Sequence, residues 1–369
     1  MVNLRLPGPT PVPDDVVEAM SKPMIDHRGE EFHTIMKRLT ANLQKAFETR
    51  RQVYVLSCSG TGGMEAAIVN VLSPGDKVLA VSIGNFGDRF SKIAKGYGAN
   101  VTDLKFPEGQ AADPTAIGEK LKADPTIKTV LVTHNETSTG ITNDLEAIAK
   151  VVKGEFDKLL IVDAISSLGS IRLAMDEWNL DVVASASQKG WACPPGLAMI
   201  AMSARAWQAS DNARMPRFYF DLREARNSLK KLETPWTPAV GLIFGLDYAL
   251  QKMLAKGDMA ATYQFHARIA QYTRDGLTKL GLKLVATDVQ HASNTVTACY
   301  LPDGVTDAAL LTMLMNDYNI VAAEGRGLLA GKCFRIGHMG YVTDKDIDDV
   351  LHALEQALPR LGYKPAGVH

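Results

Sequence analysis

Cysteine is scarce in this chain of 369 residues: Cys58, Cys193, Cys299 and Cys333 are widely scattered and form no CxxC pair. That spacing argues against a disulfide framework or a zinc site, and the four are expected as small, apolar-like core residues. The eight histidines are scattered too, so no metal is expected. Neither sign of charge is in excess. A net charge of −1 gives no footprint for nucleic acid or for an anionic membrane. No apolar run approaches the roughly 20 residues of a membrane span; the longest candidate, CPPGLAMIAM, holds two prolines. The opening MVNLRLPGPTPVPDD has no apolar core of signal-peptide length, and a cytoplasmic location is expected.

What remains is the composition of a globular enzyme, long enough for one large domain and a smaller one. Short β-rich runs alternate with helical ones. QVYVLSCS, DKVLAVS, TIKTVLVTH and KLLIVDA read as strands; GGMEAAIVNVLS, FGDRFSKIAKGYG and TNDLEAIAKVVKGE read as helices. The strands are almost continuously apolar, as parallel strands covered on both faces should be. Strand–helix alternation at this spacing argues for right-handed βαβ units and a mainly parallel sheet of an α/β fold. LDVVASAS and GLAMIAMS lie too close for a helix between them, so one runs antiparallel. Residues 237–280 read as helical. LKLVA, NTVTACYL, DAALLTMLMND, NIVAAEG, KCFRIGH and DKDIDDVLHALEQAL then suggest a small α+β domain. The expected division is an N-terminal arm (1–20), a large domain (21–260) and a small domain (261–369).

Four features sit at the ends of these elements, where open α/β folds gather ligands. In SCSGTGGMEAA a strand ends and a helix begins near Gly62. The turn is neither GxGxxG nor followed by GK[ST], and it serves either as an anion site or as a structural turn. Asp163 ends a very apolar strand, as a cap or as the partner of a buried cation. Lys189 follows 26 residues later, framed by the small residues of SASQKG and by the CPPG turn. Burying an isolated ammonium is costly, so such a lysine must be neutralised, paired or used covalently. Arg335, expected at a strand end in the small domain, suits bidentate carboxylate binding or a surface ion pair. Together the four describe pyridoxal phosphate acting on an amino acid.

The chain resembles the fold-type I pyridoxal-phosphate enzymes of the class V aminotransferase family, in its alanine/serine–glyoxylate (serine–pyruvate) branch. LPGPTPVP, SGTGGMEAA, GNFGDR, THNETSTG, IVDAISSLG, SASQKG, TPWTPAV and FRIGHMG occur in family order. The resemblance implies a large domain with a mainly parallel seven-stranded sheet between helices, plus the small C-terminal domain. It implies Lys189 as the Schiff-base lysine and Asp163 as the partner of the pyridine nitrogen. Phe86 matches the aromatic that stacks on the cofactor ring, and Thr137 a hydroxyl residue beside it. Ser59, Gly60, Thr61 and Gln188 match the phosphate cradle, although some relatives have His in place of Thr61. Thr237 matches a phosphate ligand from the other subunit of a homodimer with shared active sites, and Thr234 stands where some relatives have Tyr. Arg335 matches the substrate-carboxylate arginine, and Gly8 is placed in the substrate site with it.

The resemblance implies ping-pong transamination from alanine or serine to glyoxylate or pyruvate. A cysteine desulfurase would need a reactive cysteine on a loop, and IGHMGY after Arg335 has none. An aspartate-using transaminase would want a second cation, for which Arg28 and Arg326 are candidates. A non-catalytic hydrogenase-associated partner protein should have lost Lys189, Asp163 or Arg335, and all are present. His338 is expected as a packed or dimer-contact residue, Trp191 as core or pocket wall, and Trp236, Tyr219 and Met339 as residues that bear on pocket size.

Overall fold

A computed structural model describes residues 2–255 and 257–363. Positions 364–369, the expected end of the small domain, lie outside the described residues. Seven strands form the central sheet: β1 (Val53–Leu56), β2 (Lys77–Ser82), β3 (Asn100–Lys105), β4 (Thr129–Thr133), β5 (Leu159–Asp163), β6 (Val182–Ala186) and β7 (Ala198–Met202). Their order is β1-β7-β6-β5-β4-β2-β3. Neighbours pair in parallel except β7, which is antiparallel to both β1 and β6. That is the geometry the short LDVVASAS–GLAMIAMS connection requires.

The six strands other than β3 are mostly apolar because both faces are covered. Val130, Val132 and Val162 pack on one side with Phe32, Met36 and Leu39 of the helix Glu30–Ala46 and with Ile243 and Leu246 of the helix Val240–Met253. Leu131, Ile161 and Ala184 pack on the other with Met64 and Ile68 of helix α1 (Gly60–Val69). Odd and even residues of one strand thus serve opposite cores. The edge strand β3, NVTDLK, is largely exposed. It has no continuous apolar run, and an apolar-run criterion passes over it.

A second sheet takes β8 (Val296–Tyr300), β9 (Ala323–Glu324) and β10 (Cys333–Gly337) in the order β8-β10-β9, all antiparallel. Phe334 and Ile336 of β10 pack with Leu310 and Leu314 from the helix Asp307–Tyr318 and with Val350 and Leu354 from the helix Asp344–Arg360. The N-terminal residues Asn3–Leu4 pair in parallel with Ile320–Val321.

Several expectations need correction. Helix α1 begins at Gly60, not Gly62. Arg335 lies in the middle of β10 rather than at a strand end. LKLVA contributes only an isolated bridge, Leu284 to Cys299. NIVAAEG splits between two partners, Asn3–Leu4 and β10. TNDLEAIAKVVKGE is α-helical over Leu145–Ala149 and continues as π-helix over Lys150–Glu155.

The π-helical turn has a visible cause to stay in place. Lys153 Nζ lies 2.5 Å from Asp181 Oδ2, and both side chains are buried. The same carboxylate accepts the Leu160 N–H at 2.9 Å and the Ser203 hydroxyl at 2.8 Å. Asp181→Ala leaves a buried ammonium without its partner, and the expected loss of stability is about 3–5 kcal/mol. Urea unfolding measures it; a loss under about 1 kcal/mol would show that water reaches Lys153.

Candidate active site

Lys189 sits in the connection from β6 to β7. The Ser187 hydroxyl closes this loop by donating to Pro194 O at 2.6 Å and accepting the Leu197 N–H at 3.2 Å. Gly190 is obligatory by contact: a Cβ there would stand 2.6 Å from Leu168 O and 2.7 Å from Ser170 Oγ. The N-terminal arm crosses over the lysine. Thr10 N–H donates to Gln188 O at 3.2 Å, Thr10 Oγ1 donates to Lys189 O at 3.1 Å, and Lys189 Nζ donates to Pro7 O. Gly8 has a φ of +114°, and any Cβ on it would run into the lysine side chain.

No carboxylate forms an ion pair with Lys189 among the described residues. Burial lowers its pKa to about 8, helped by the charges of Arg335, Arg326 and Arg89 and opposed by Asp163. Asp163, at the carboxyl end of β5, is equally sequestered. It accepts the Ile165 N–H at 3.0 Å and the Thr133 hydroxyl at 3.3 Å. Burial raises its pKa to about 6, and the nearby charge of Glu136 adds to the effect.

Arg335 reaches in from β10. Its Nε donates to Glu324 O at 2.8 Å and its Nη1 to Thr137 O at 2.9 Å, so these two carbonyls aim the guanidinium. Burial, then the charge of Arg326, lowers its pKa to about 10. Phe86 stands in the first turn of helix α2 (Asn85–Gly96), half-buried, with the Arg89 guanidinium 4.7 Å from its ring centroid. Arg89 Nη1 also approaches the Thr61 hydroxyl at 3.4 Å. Ser59 precedes α1 and caps it with no side-chain hydrogen bond, which leaves the first N–H groups of Gly60 and Thr61 open at the positive end of the helix. Gln188 Oε1 is buried without a partner among the described residues.

The arrangement brings together Lys189, Asp163, Gly8, Thr137 and Arg335. Helix α1 adds Ser59, Gly60 and Thr61: a Cβ on Gly60 would stand 2.8 Å from Ile165 Cδ1, two residues past Asp163. Thr234 is buried but bonds locally, its hydroxyl donating to Trp236 O at 2.7 Å. Thr237 is exposed. Of the two candidate second cations, Arg28 pairs with Glu233 at 2.6 Å. No hydrogen bond or ion pair holds the Arg326 guanidinium among the described residues. His338 is fully buried with Nε2 2.9 Å from Thr297 Oγ1, and Trp191 is a core residue stacked on Phe47. Cys333 is buried in β10, not on a loop.

Two residues escaped the sequence reading: Glu136 and Arg89. Both stand inside quoted motifs, NETSTG and GNFGDR, but their neighbours in space come from other segments. With them the site holds four cations (Lys189, Arg335, Arg326 and Arg89) facing two carboxylates, Asp163 and Glu136. Lys189 and Arg335 are buried, Arg89 is half-buried and Arg326 is exposed. Positive charge in excess of the two carboxylates, beside an uncapped helix start, is complementary to a ligand with more than one anionic group. Pyridoxal phosphate with an amino-acid carboxylate meets that demand, and Asp163 and Lys189 match its ring nitrogen and its aldehyde in chemistry.

The family profile described as aminotransferase class-V matches residues 2–350. A protein named as the small subunit of a soluble hydrogenase from Synechococcus sp. is 44% identical over 98% of this chain and 94% of its own length. An L-aspartate–glyoxylate aminotransferase from Paracoccus denitrificans is 37% identical over 97% of this chain and 91% of its own. The solved structure of an alanine–glyoxylate aminotransferase from Nostoc sp. superposes with a TM-score of 0.92, at 31% identity, over 97% of this chain and 95% of its own.

Because its pKa is lowered, the Lys189 amine of the ligand-free protein should gain reactivity as pH rises through about 8. Reductive methylation followed residue by residue by mass spectrometry reads this directly. A midpoint at the ordinary lysine value, about 10.4, would mean that the amine is solvated.

Proposed function

The chain belongs to the class V aminotransferase family, which uses pyridoxal phosphate, and on that premise we propose that it moves an amino group from a small amino acid, alanine or serine, to glyoxylate or pyruvate. The observation that carries this reading is the buried Lys189, with no ion-pair partner among the described residues, between Asp163 and Arg335 at the carboxyl end of the sheet. When bound, the cofactor supplies an electron sink for the negative charge that develops at the substrate's α-carbon.

The chain's own groups divide the remaining work. Lys189 would hold the cofactor aldehyde and, once released, carry the α-proton on Nζ; its depressed pKa lets the amine act as a base near neutral pH. Asp163 would accept a hydrogen bond from the ring N–H and so keep that nitrogen protonated. Ser59, Gly60 and Thr61 at the start of α1, with Gln188, would hold the phosphate. Phe86 and Thr137 would bound the ring. Arg335, aimed by two carbonyls, would bind the substrate carboxylate. The exchange is ping-pong: the first keto acid leaves before the second enters. Gly8 and the arm backbone press on Lys189, which supports a small side chain on the donor.

Thr237 and Thr234 fit the reading only if a second copy approaches. Exposed Phe218 and Tyr219 stack with Trp236 at centroid separations of 4.9 and 6.3 Å beside them, a patch a homodimer would cover. The arm, large-domain and small-domain division at residues 20 and 260 accompanies this proposal. The absence of a helix long and apolar enough to cross a membrane, among the described residues, fits action on dissolved substrates. A non-catalytic hydrogenase partner would have no use for a buried lysine without a counterion.

One observation favours a second reading. Arg326 is unpaired beside Arg335, and a dicarboxylic donor such as aspartate would use both. Mixing the cofactor-loaded protein with alanine, serine and aspartate in turn, and following the visible spectrum, tests the two. Conversion to the amino form by alanine or serine, reversed by glyoxylate, supports the main reading; conversion by aspartate alone replaces it. On the dicarboxylic reading, Arg326→Ala lowers the aspartate-to-alanine ratio of kcat/KM about 10- to 100-fold. Arg335→Lys should lower kcat/KM for every donor by about 100-fold, since a point charge replaces a fork.

A further inference from the structure

Glu136 is buried at the centre of the site, yet the scheme above gives it no task. Its carboxylate is surrounded by donors. Oε2 accepts the N–H groups of Phe86 at 2.8 Å and Gly87 at 3.1 Å, and Oε1 accepts Ser138 N–H at 3.1 Å and Ser138 Oγ–H at 2.6 Å. Ser138 Oγ in turn accepts the Asn85 N–H at 3.0 Å. The segment Glu136–Ser138 therefore satisfies three successive N–H groups at the start of α2. Gly84, which precedes that helix, offers no side-chain cap of its own. The fit is close: a Cβ on Gly84 would stand 2.6 Å from Glu136 Cγ and 2.5 Å from Ser138 Oγ. The next carbonyl along, Thr137 O, is one of the two acceptors that aim Arg335.

We propose that Glu136 is a positioning residue that ties the Phe86 ring and the Arg335 guanidinium into one rigid frame, so that cofactor and substrate carboxylate are held in fixed relation. The inference rests on the cofactor placement proposed above. Three residues of chain grip both groups: the carboxylate fixes the backbone that carries Phe86, and the adjoining carbonyl fixes Arg335. An anion at a helix N-terminus is favourable, and here it is shielded from water. Burial raises the Glu136 pKa and its four donors offset only part of that, and its charge lies within reach of Asp163 and Arg335. A capping role alone would end at α2. The proposed role extends to both ligands.

Glu136→Gln and the milder Ser138→Ala, each in the cofactor-loaded protein, provide the test. Losing charge-assisted bonds of this kind should raise the pyridoxal-phosphate dissociation constant of Glu136→Gln about 10- to 100-fold. The induced circular dichroism of the visible cofactor band, which reports the asymmetric placement of the ring, should shrink. KM for the amino acid should rise more than kcat falls, and the KM effects of Glu136→Gln and Arg335→Lys should be less than additive. Ser138→Ala should move each readout in the same direction by a few-fold, and it decides the matter if Glu136→Gln does not fold. A lowered melting temperature with wild-type dichroism, dissociation constant and KM would reduce Glu136 to a structural cap and overturn the proposal. If the wild-type protein itself forms no visible cofactor band, it is the cofactor placement that fails, and this inference goes with it.

Discussion

A buried lysine without a counterion is the constraint from which the rest of this molecule follows. Lys189 is 9% exposed and shares its surroundings with three arginines. Such a group raises the free energy of the fold unless its pKa falls, and desolvation lowers it. The surrounding chain gives way to accommodate it: Gly190 passes under Leu168, and Gly8 leaves room above. The arm that carries Gly8 is held at its far end by parallel pairing with Ile320–Val321, and Arg5 O accepts the Gly337 N–H of β10. Gly8 near the N-terminus can therefore press on Lys189 in the β6–β7 connection because these contacts anchor the arm just before it.

The parallel sheet explains why charged groups meet there at all. Carboxyl ends of β4, β5 and β6 face the same side, so Thr133, Asp163 and the segment after Ala186 emerge together. The helices that return the chain begin on that side, and their N–H ends point inward. One start, α1, is left uncapped. The other, α2, is occupied by the Glu136 carboxylate. The same device thus serves an incoming anion at one helix and an internal tie at the other.

Local pattern carried the sheet well. Apolar runs revealed six of the seven strands, because a strand covered on both faces has few polar positions. The edge strand β3 was missed for the converse reason: one side of it meets water, and its sequence looks like a turn region. The π-helical turn at Lys150–Glu155 was equally hidden, since its anchor, Asp181, lies 28 residues beyond Lys153. At the site, Lys189, Asp163 and Arg335 stood out because each is a charged residue in an apolar or glycine-framed setting. Glu136 and Arg89 did not, because a carboxylate or a guanidinium among polar neighbours gives no local sign of burial. Arg28 and Arg326 were indistinguishable in the sequence; only folding brings Glu233 to one and leaves the other unpaired.

The sequence by itself determined the alternation of strands and helices, the antiparallel return of β7, and the motifs that place the chain among class V aminotransferases. These depend on periodicity, short connections and residue order, all of which are local. Tertiary structure decided which charges face one another: the arm over Lys189, the four cations around two carboxylates, and the Glu136 frame. Burial and charge proximity join segments far apart in the chain: 182 residues separate Pro7 from Lys189, 198 separate Thr137 from Arg335, and 50 separate Phe86 from Glu136. No window of the chain contains them.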